Sequence, residues 1–173
     1  LLPRVVGVGH FETWEGRYIY IVMDFIEGRN LEEVLREEGS ISEEQCVLWI
    51  MDILDALKYL HSQSPPVIYR DMKPGNVMLT RDGKLKIIDF GIAREKKVGR
   101  VSDTVALGTR GYAAPEQFGG KPTDHRADIY SLAITMKELL GESYHGKLSG
   151  IIAKCLEFDP NNRPKDAEEL RKL

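Results

Sequence analysis

An alternating, strand-like run opens the chain. Between Pro3 and Asp24, Val5-Val6 and the run from Arg17 through Tyr18, Ile19, Tyr20, Ile21 and Val22 to Met23 carry the two-residue period of strands, and Trp14-Glu15-Gly16 supplies a turn. This predicts a β-hairpin. The period then changes to that of helices. Asn30 with Glu33, and Ser42 with Gln45, fit capping boxes, so a helix is expected to start after each. After Ser42, the residues Cys46, Trp49, Ile50, Ile53, Leu54, Leu57 and Leu60 recur at threes and fours, which places one broad apolar face toward a core. Pro65-Pro66 is expected to stop that helix. Short strands are predicted at 67–69, 77–80 and 85–88, with Asp82-Gly83 as the turn of the last pair. From Asp89 to Gln117 the pattern dissolves into a Gly-rich polar loop. Beyond it, helices are expected over 128–140, 149–158 and 164–173, the last with Pro164 in its first turn.

Composition narrows this picture little. The 173 residues are 42% hydrophobic and 29% charged, as in an ordinary folded domain. A net charge of −3 gives no broad basic field, so nucleic acid is not an expected partner, and any phosphate chemistry must come from a local site. No apolar run is long enough to cross a bilayer, and the Leu1-Leu2-Pro3-Arg4 start lacks the plan of a signal peptide, so the expected location is cytoplasmic. Cys46 and Cys155 stand far apart with no CxxC or Cys/His cluster, which suits two reduced, buried thiols.

The segment richest in chemistry is Tyr69-Arg-Asp-Met-Lys-Pro-Gly-Asn76, followed thirteen residues after Asn76 by Asp89-Phe90-Gly91. Taken singly, an Asp in a turn or a DFG triplet is a weak signal. Together, in this order and between predicted strands, the two motifs resemble the catalytic loop and metal-binding motif of protein kinases, with Tyr69 where that family usually has His. Phosphoryl transfer asks for positioning and charge neutralisation rather than covalent chemistry, so carboxylates and amides must converge. The resemblance implies that Asp71 orients the receiving hydroxyl and accepts its proton. It also implies that Asn76 and Asp89 hold Mg2+ (Mn2+ as an alternative) with ATP, and that Lys73 stabilises the γ-phosphate. The Lys73-Pro74 pair looks like the serine/threonine class.

Further segments extend the resemblance. Gly108-Thr-Arg-Gly-Tyr-Ala-Ala-Pro-Glu116 looks like the end of an activation segment, in which Thr109 would bridge Asp71 and Lys73. Asp128-Ile-Tyr-Ser131 resembles the start of the central helix; an Asp in so apolar a helix must be hydrogen-bonded, and Asp128 is expected to hold the catalytic-loop backbone. Asp159-Pro160-Asn-Asn-Arg163 resembles the motif whose Arg pairs with the APE Glu, predicting a Glu116–Arg163 ion pair. Tyr20 to Gly28 resembles the strand and hinge that receive adenine, with Met23 as gatekeeper, backbone groups of Asp24 and Ile26 on the adenine edge, and Met78 beneath the ring. Arg70 is expected to receive an activation-loop phosphate, with Ser102 and Thr104 as the candidate acceptors.

The implied fold is α+β and protein-kinase-like: residues 1–28 as a partial N-lobe (its strands 4 and 5) and hinge, and 29–173 as a mainly helical C-lobe. The connection between Leu140 and Ile151 is short, with little room for a helix. The family's Gly-rich loop and strand-3 lysine are not among these residues: Gly7-Val-Gly9 is followed by Glu12 rather than a third glycine, and no lysine precedes Lys58. The implied function is that of a serine/threonine protein kinase acting with ATP on protein Ser/Thr hydroxyls, present as a fragment that is inactive or weak by itself. The wording YRDMKPGN and GTRGYAAPEQF is similar to the eukaryotic-like kinases of bacteria. Two other readings stay open: a non-catalytic kinase-like interaction module, and a small-molecule phosphotransferase of the same fold, against which the APE triplet and the KP pair speak.

Overall fold

The computed structural model describes residues 1–90, 94–95, 108–118 and 123–173. The first strands, β1 (Val5–Thr13) and β2 (Gly16–Met23), pair antiparallel with Thr13 opposite Gly16, so the turn falls at Trp14-Glu15 as the alternation implied. Both faces of this hairpin are apolar, and every residue of β2 is exposed. Phe11 stacks on Tyr18 across the strands at 5.2 Å on one face, while Val8 and Ile21 pair on the other. The hairpin is tied to the rest through the start of the chain: the Leu1 carbonyl accepts from the Ile87 amide (2.8 Å), and Leu2 packs against the core.

Strand β3 (Gly28–Asn30) leads into α1 (Leu31–Glu38) through a complete capping box. Asn30 Oδ1 accepts from the Glu33 amide (2.8 Å), and Glu33 Oε2 accepts from the Asn30 amide (2.9 Å). At Ser42 the box is half made, Oγ accepting from the Gln45 amide (3.2 Å), and α2 (Glu43–His61) follows. Its whole expected apolar face is buried. The helix ends at His61, ahead of Pro65-Pro66.

After β4 (Val67–Ile68) come β5 (Val77–Thr80) and β6 (Leu85–Ile87), joined by the Asp82-Gly83 turn. With β3 these two form a three-stranded sheet in the order β3-β5-β6, while β4 pairs with β7 (Arg94–Glu95). Gly28 is dictated by that sheet, because a Cβ there would lie 2.2 Å from the Leu79 carbonyl oxygen.

The central helix, α3 (Arg126–Leu140), begins two residues earlier than its apolar pattern suggests, since Asp124 Oδ1 accepts from the Arg126 amide (2.9 Å) and opens the turn. Helix α4 (Ser149–Cys155) stops short of Phe158. Asp159 instead starts a 3-10 turn at Pro160–Asn162, and a residue ahead of proline is disfavoured in a helix. Helix α5 (Ala167–Arg171) begins after Pro164 rather than on it, capped by Asp166 Oδ1 accepting from the Glu169 amide (2.7 Å). No helix lies between Leu140 and Ser149. The core is one cluster built mainly from α2 and α3, flanked by α4, α5, β5 and β6. Among the described residues no helix is long and apolar enough to cross a membrane.

Candidate active site

The loop between β4 and β5 hangs from the buried start of α3. Asp128 is fully buried, and its two carboxylate oxygens accept from the Tyr69 amide (2.9 Å) and the Arg70 amide (2.7 Å). A third partner, His61 Nε2 at the end of α2, stands 2.7 Å from Asp128 Oδ2. A buried carboxylate needs such partners to be tolerated at all, and here they turn the helix start into an anchor for the loop. Arg70 and Asp89 have positive φ, 70 and 59; they are the only non-glycine residues among those described that do. Strained backbone of this kind persists where the surroundings over-determine it; Arg70 directly precedes Asp71, and Asp89 is itself one of the expected metal-holding residues.

Asp71 is the focus. Its Oδ1 accepts from Thr109 Oγ1 (2.6 Å), and its Oδ2 accepts from Asn76 Nδ2 (2.8 Å) and lies 3.2 Å from Lys73 Nζ. Lys73 Nζ also donates to Thr109 Oγ1 (2.8 Å), so Thr109 bridges Asp71 and Lys73 across the loop. Burial pushes the Asp71 carboxyl up, but the bonds from Thr109, Lys73 and Asn76 and the charge on Lys73 outweigh it and hold the group below its ordinary range. Asp71 is therefore ionised at neutral pH.

Asn76 Nδ2 donates to the Asp71 carbonyl as well (2.9 Å), which commits the amide nitrogen and makes Oδ1 the atom that could meet a metal. The Asn76 carbonyl accepts from the Ile88 amide (2.9 Å), and this bond brings Asp89 alongside. An amide oxygen and a carboxylate are hard donors that suit Mg2+, an ion that takes most of its shell from phosphate and water. The donor set fits the ion.

Tyr69, at the position where histidine was the usual expectation, is fully buried; its hydroxyl donates to the Ile88 carbonyl and its ring meets Phe90 edge-on at 5.3 Å. Burial, with the nearby Asp71 and Asp89 charges, pushes the phenol well above its usual range, so it stays a donor. It braces the segment that carries Asp89.

Farther out, Glu116 and Arg163 meet in a buried two-pronged pair, with Nη1–Oε1 at 2.7 Å and Nη2–Oε2 at 2.9 Å. Among the residues assigned to adenine, Met23 ends β2 and is exposed, Ile26 is half-buried between the strands, and Met78 sits on β5 opposite Asn30. The Asp24 amide donates to the Arg4 carbonyl (2.9 Å), so Asp24 has only its carbonyl to offer. Gly91, Ser102 and Thr104 lie outside the described residues. His61 belongs to the site yet carries no motif signal, and Gln117, although it stands in the GTRGYAAPEQF run, carries no expected role there. A histidine in a last helical turn is commonplace, and only its contact across 67 residues gives it meaning.

The model of the protein kinase domain matches residues 3–145. The chain belongs to the protein kinase domain family. Among its relatives are the serine/threonine-protein kinase PknB of Mycolicibacterium smegmatis, at 31% identity, and a probable serine/threonine-protein kinase of Streptomyces coelicolor, at 32%. Each comparison spans 98% of this chain and 32% and 30%, respectively, of those relatives. A probable serine/threonine-protein kinase of Clostridium perfringens is 29% identical over 97% of the chain and 28% of its own length. The chain thus spans about a third of the length of the curated relatives it matches.

Proposed function

We propose that this chain forms the hydroxyl- and metal-handling part of a serine/threonine protein kinase that transfers the ATP γ-phosphate to protein Ser/Thr hydroxyls. Residues 1–28 then serve as a partial N-lobe and hinge, and 29–173 as the C-lobe. The observation that carries the reading is the Asp71 carboxylate, ionised and oriented by Thr109, Asn76 and Lys73 at once.

In this reading Asp71 accepts the proton of the substrate hydroxyl as its oxygen bonds to phosphorus and the bond to the β-phosphate oxygen breaks. A low carboxyl pKa suits a step that asks the base for orientation more than for strength. Lys73 stabilises charge on the transferred group. Asn76 Oδ1 and Asp89 would hold Mg2+, which when bound neutralises phosphate charge. Asp24 would present its carbonyl and Ile26 its amide to adenine, with Met23 and Met78 as apolar neighbours. Arg70 would receive a phosphate placed on Ser102 or Thr104.

The Gly-rich loop and the lysine that position ATP phosphates in the family are not among these 173 residues, so the chain alone is expected to transfer little phosphate. The test is phosphate transfer to a casein-like protein by the complete gene product, with Asp71→Asn and the 173-residue chain alongside. Transfer that Asp71→Asn abolishes supports the proposal. A complete product that transfers nothing, or an Asp71→Asn variant that transfers as well as the wild type, refutes it and leaves the non-catalytic module.

A further inference from the structure

Arg70 immediately precedes Asp71, and its left-handed backbone is gripped from both sides. Its amide donates to Asp128 Oδ1 (2.7 Å), and its carbonyl accepts from Gln117 Nε2 (3.3 Å). Gln117, one residue past Glu116, is only 4% exposed. Its other amide atom, Oε1, accepts from the Ala114 amide (2.9 Å). The oxygen is thereby committed to Ala114, so the nitrogen must face Arg70. Gly108 shows how closely the chain passes this carboxamide: a Cβ there would come 2.9 Å from Gln117 Nε2 and 2.6 Å from the Ala113 Cβ, on a backbone at φ 130. The very next residue, Thr109, bonds Asp71.

We infer that Gln117 is a positioning residue for phosphoryl transfer, tying the 108–117 segment to the Arg70 carbonyl and so setting Thr109 and Asp71 against each other. The inference rests on the kinase reading above. The Arg70 carbonyl and the Asp71 amide share one rigid peptide plane, so a donor on that carbonyl fixes the plane from which the Asp71 side chain springs. Asp128 fixes the preceding plane. With both planes held, the carboxylate has one place to be; with the Gln117 bond gone, the second plane can rotate while the anchor at Asp128 survives. Misplacement of a reacting group by about 1 Å can cost about a hundredfold in rate.

The experiment uses the complete gene product. Gln117→Glu keeps an oxygen for the Ala114 amide and loses the donor to Arg70; Gln117→Met, of similar volume, loses both. Both are expected to lower kcat by about tenfold or more while KM for ATP stays within about twofold, since the bond orients the base and does not touch the nucleotide. Amide hydrogen exchange at Asp71, followed in the 173-residue chain itself, is expected to quicken in both variants with the Tyr69 amide unchanged. Wild-type kcat in both variants, a loss accounted for by the unfolded fraction, or unchanged Asp71 exchange overturns the inference. Asp71→Asn separates the two failures. If it is inactive while the Gln117 variants keep full kcat, only the role of Gln117 falls; if it keeps wild-type activity, the kinase reading itself has failed. Should the complete product show no transfer, the exchange rates alone decide whether Gln117 holds the Asp71 backbone.

Discussion

Replacing Glu116 by alanine is expected to destabilise the chain by about 3 kcal/mol, at the lower end of the roughly 3–5 kcal/mol cost of stripping one partner from a buried ion pair. The magnitude follows from how Arg163 is housed. Its side chain is fully buried, and all five of its N–H groups are used: two on Glu116, one on the Glu157 carbonyl (2.8 Å), and one each on the Arg126 and Phe158 carbonyls (3.2 Å). Its guanidinium also lies 4.9 Å from the centre of the Tyr130 ring. Glu116→Ala removes the paired anion and leaves a buried cation, while three carbonyls and the ring keep the loss from reaching the top of the range. At about 2–4 °C per kcal/mol for a chain of this size, the melting temperature should fall by about 6–12 °C. Urea unfolding of the 173-residue chain reads the free energy directly. A double replacement, Glu116→Met with Arg163→Met, should cost less than the two single changes added together, because no charge is then stranded. The reasoning fails if Glu116→Ala shifts stability by less than about 1 kcal/mol, the range of exposed pairs.

Two further outcomes follow from local geometry. Asn30→Ala removes the side-chain acceptor of the capping box and is expected to cost about 1 kcal/mol, whereas Asn30→Gly should cost only a few tenths; equal losses in urea unfolding would show that the box does not carry the effect. Asp71 is held below its ordinary carboxyl value in the folded chain, so the stability it contributes is present above the unfolded pKa of about 4 and is lost as pH falls through the folded one. The stability difference between the wild-type chain and Asp71→Asn should therefore shift against the wild type on going from pH 7 to pH 3, whatever its size at pH 7. A pH-independent difference would mean that Asp71 titrates alike in the folded and unfolded chain.

How much of this was legible in the sequence depended on the range of the physics involved. The apolar face of α2 and the Asn30 box are settled within one or two helical turns, and sequence spacing located them. The start of α5 is as local, set by Asp166 rather than by Pro164: the Asp166 carboxylate accepts from the Glu169 amide, and the Glu169 carboxylate accepts from the Lys165 amide one residue ahead of the cap. Long-range pairs have no period. Asp128 under Tyr69 and Arg70, and Glu116 on Arg163, span 47 to 59 residues and were expected only because the flanking motifs resemble those of a known family.

No motif announces His61, and the run that contains Gln117 gives that residue no role; each acts on the loop at second hand, His61 through Asp128 and Gln117 through the Arg70 carbonyl. The two strained residues, Arg70 and Asp89, suggest why such support is needed. A left-handed arginine beside the catalytic candidate and a left-handed aspartate that is itself a metal candidate each relax toward ordinary backbone if left to themselves. The buried polar groups around them, Asp128, Tyr69, Asn76 and Gln117, spend their hydrogen bonds on main-chain atoms of that loop and of its neighbouring segment. Motif residues present the chemistry and part of their own support, Asp128 among them, whereas the roles of His61 and Gln117 are specified by tertiary contact alone, which is why a linear reading recovers the first set and passes over the second.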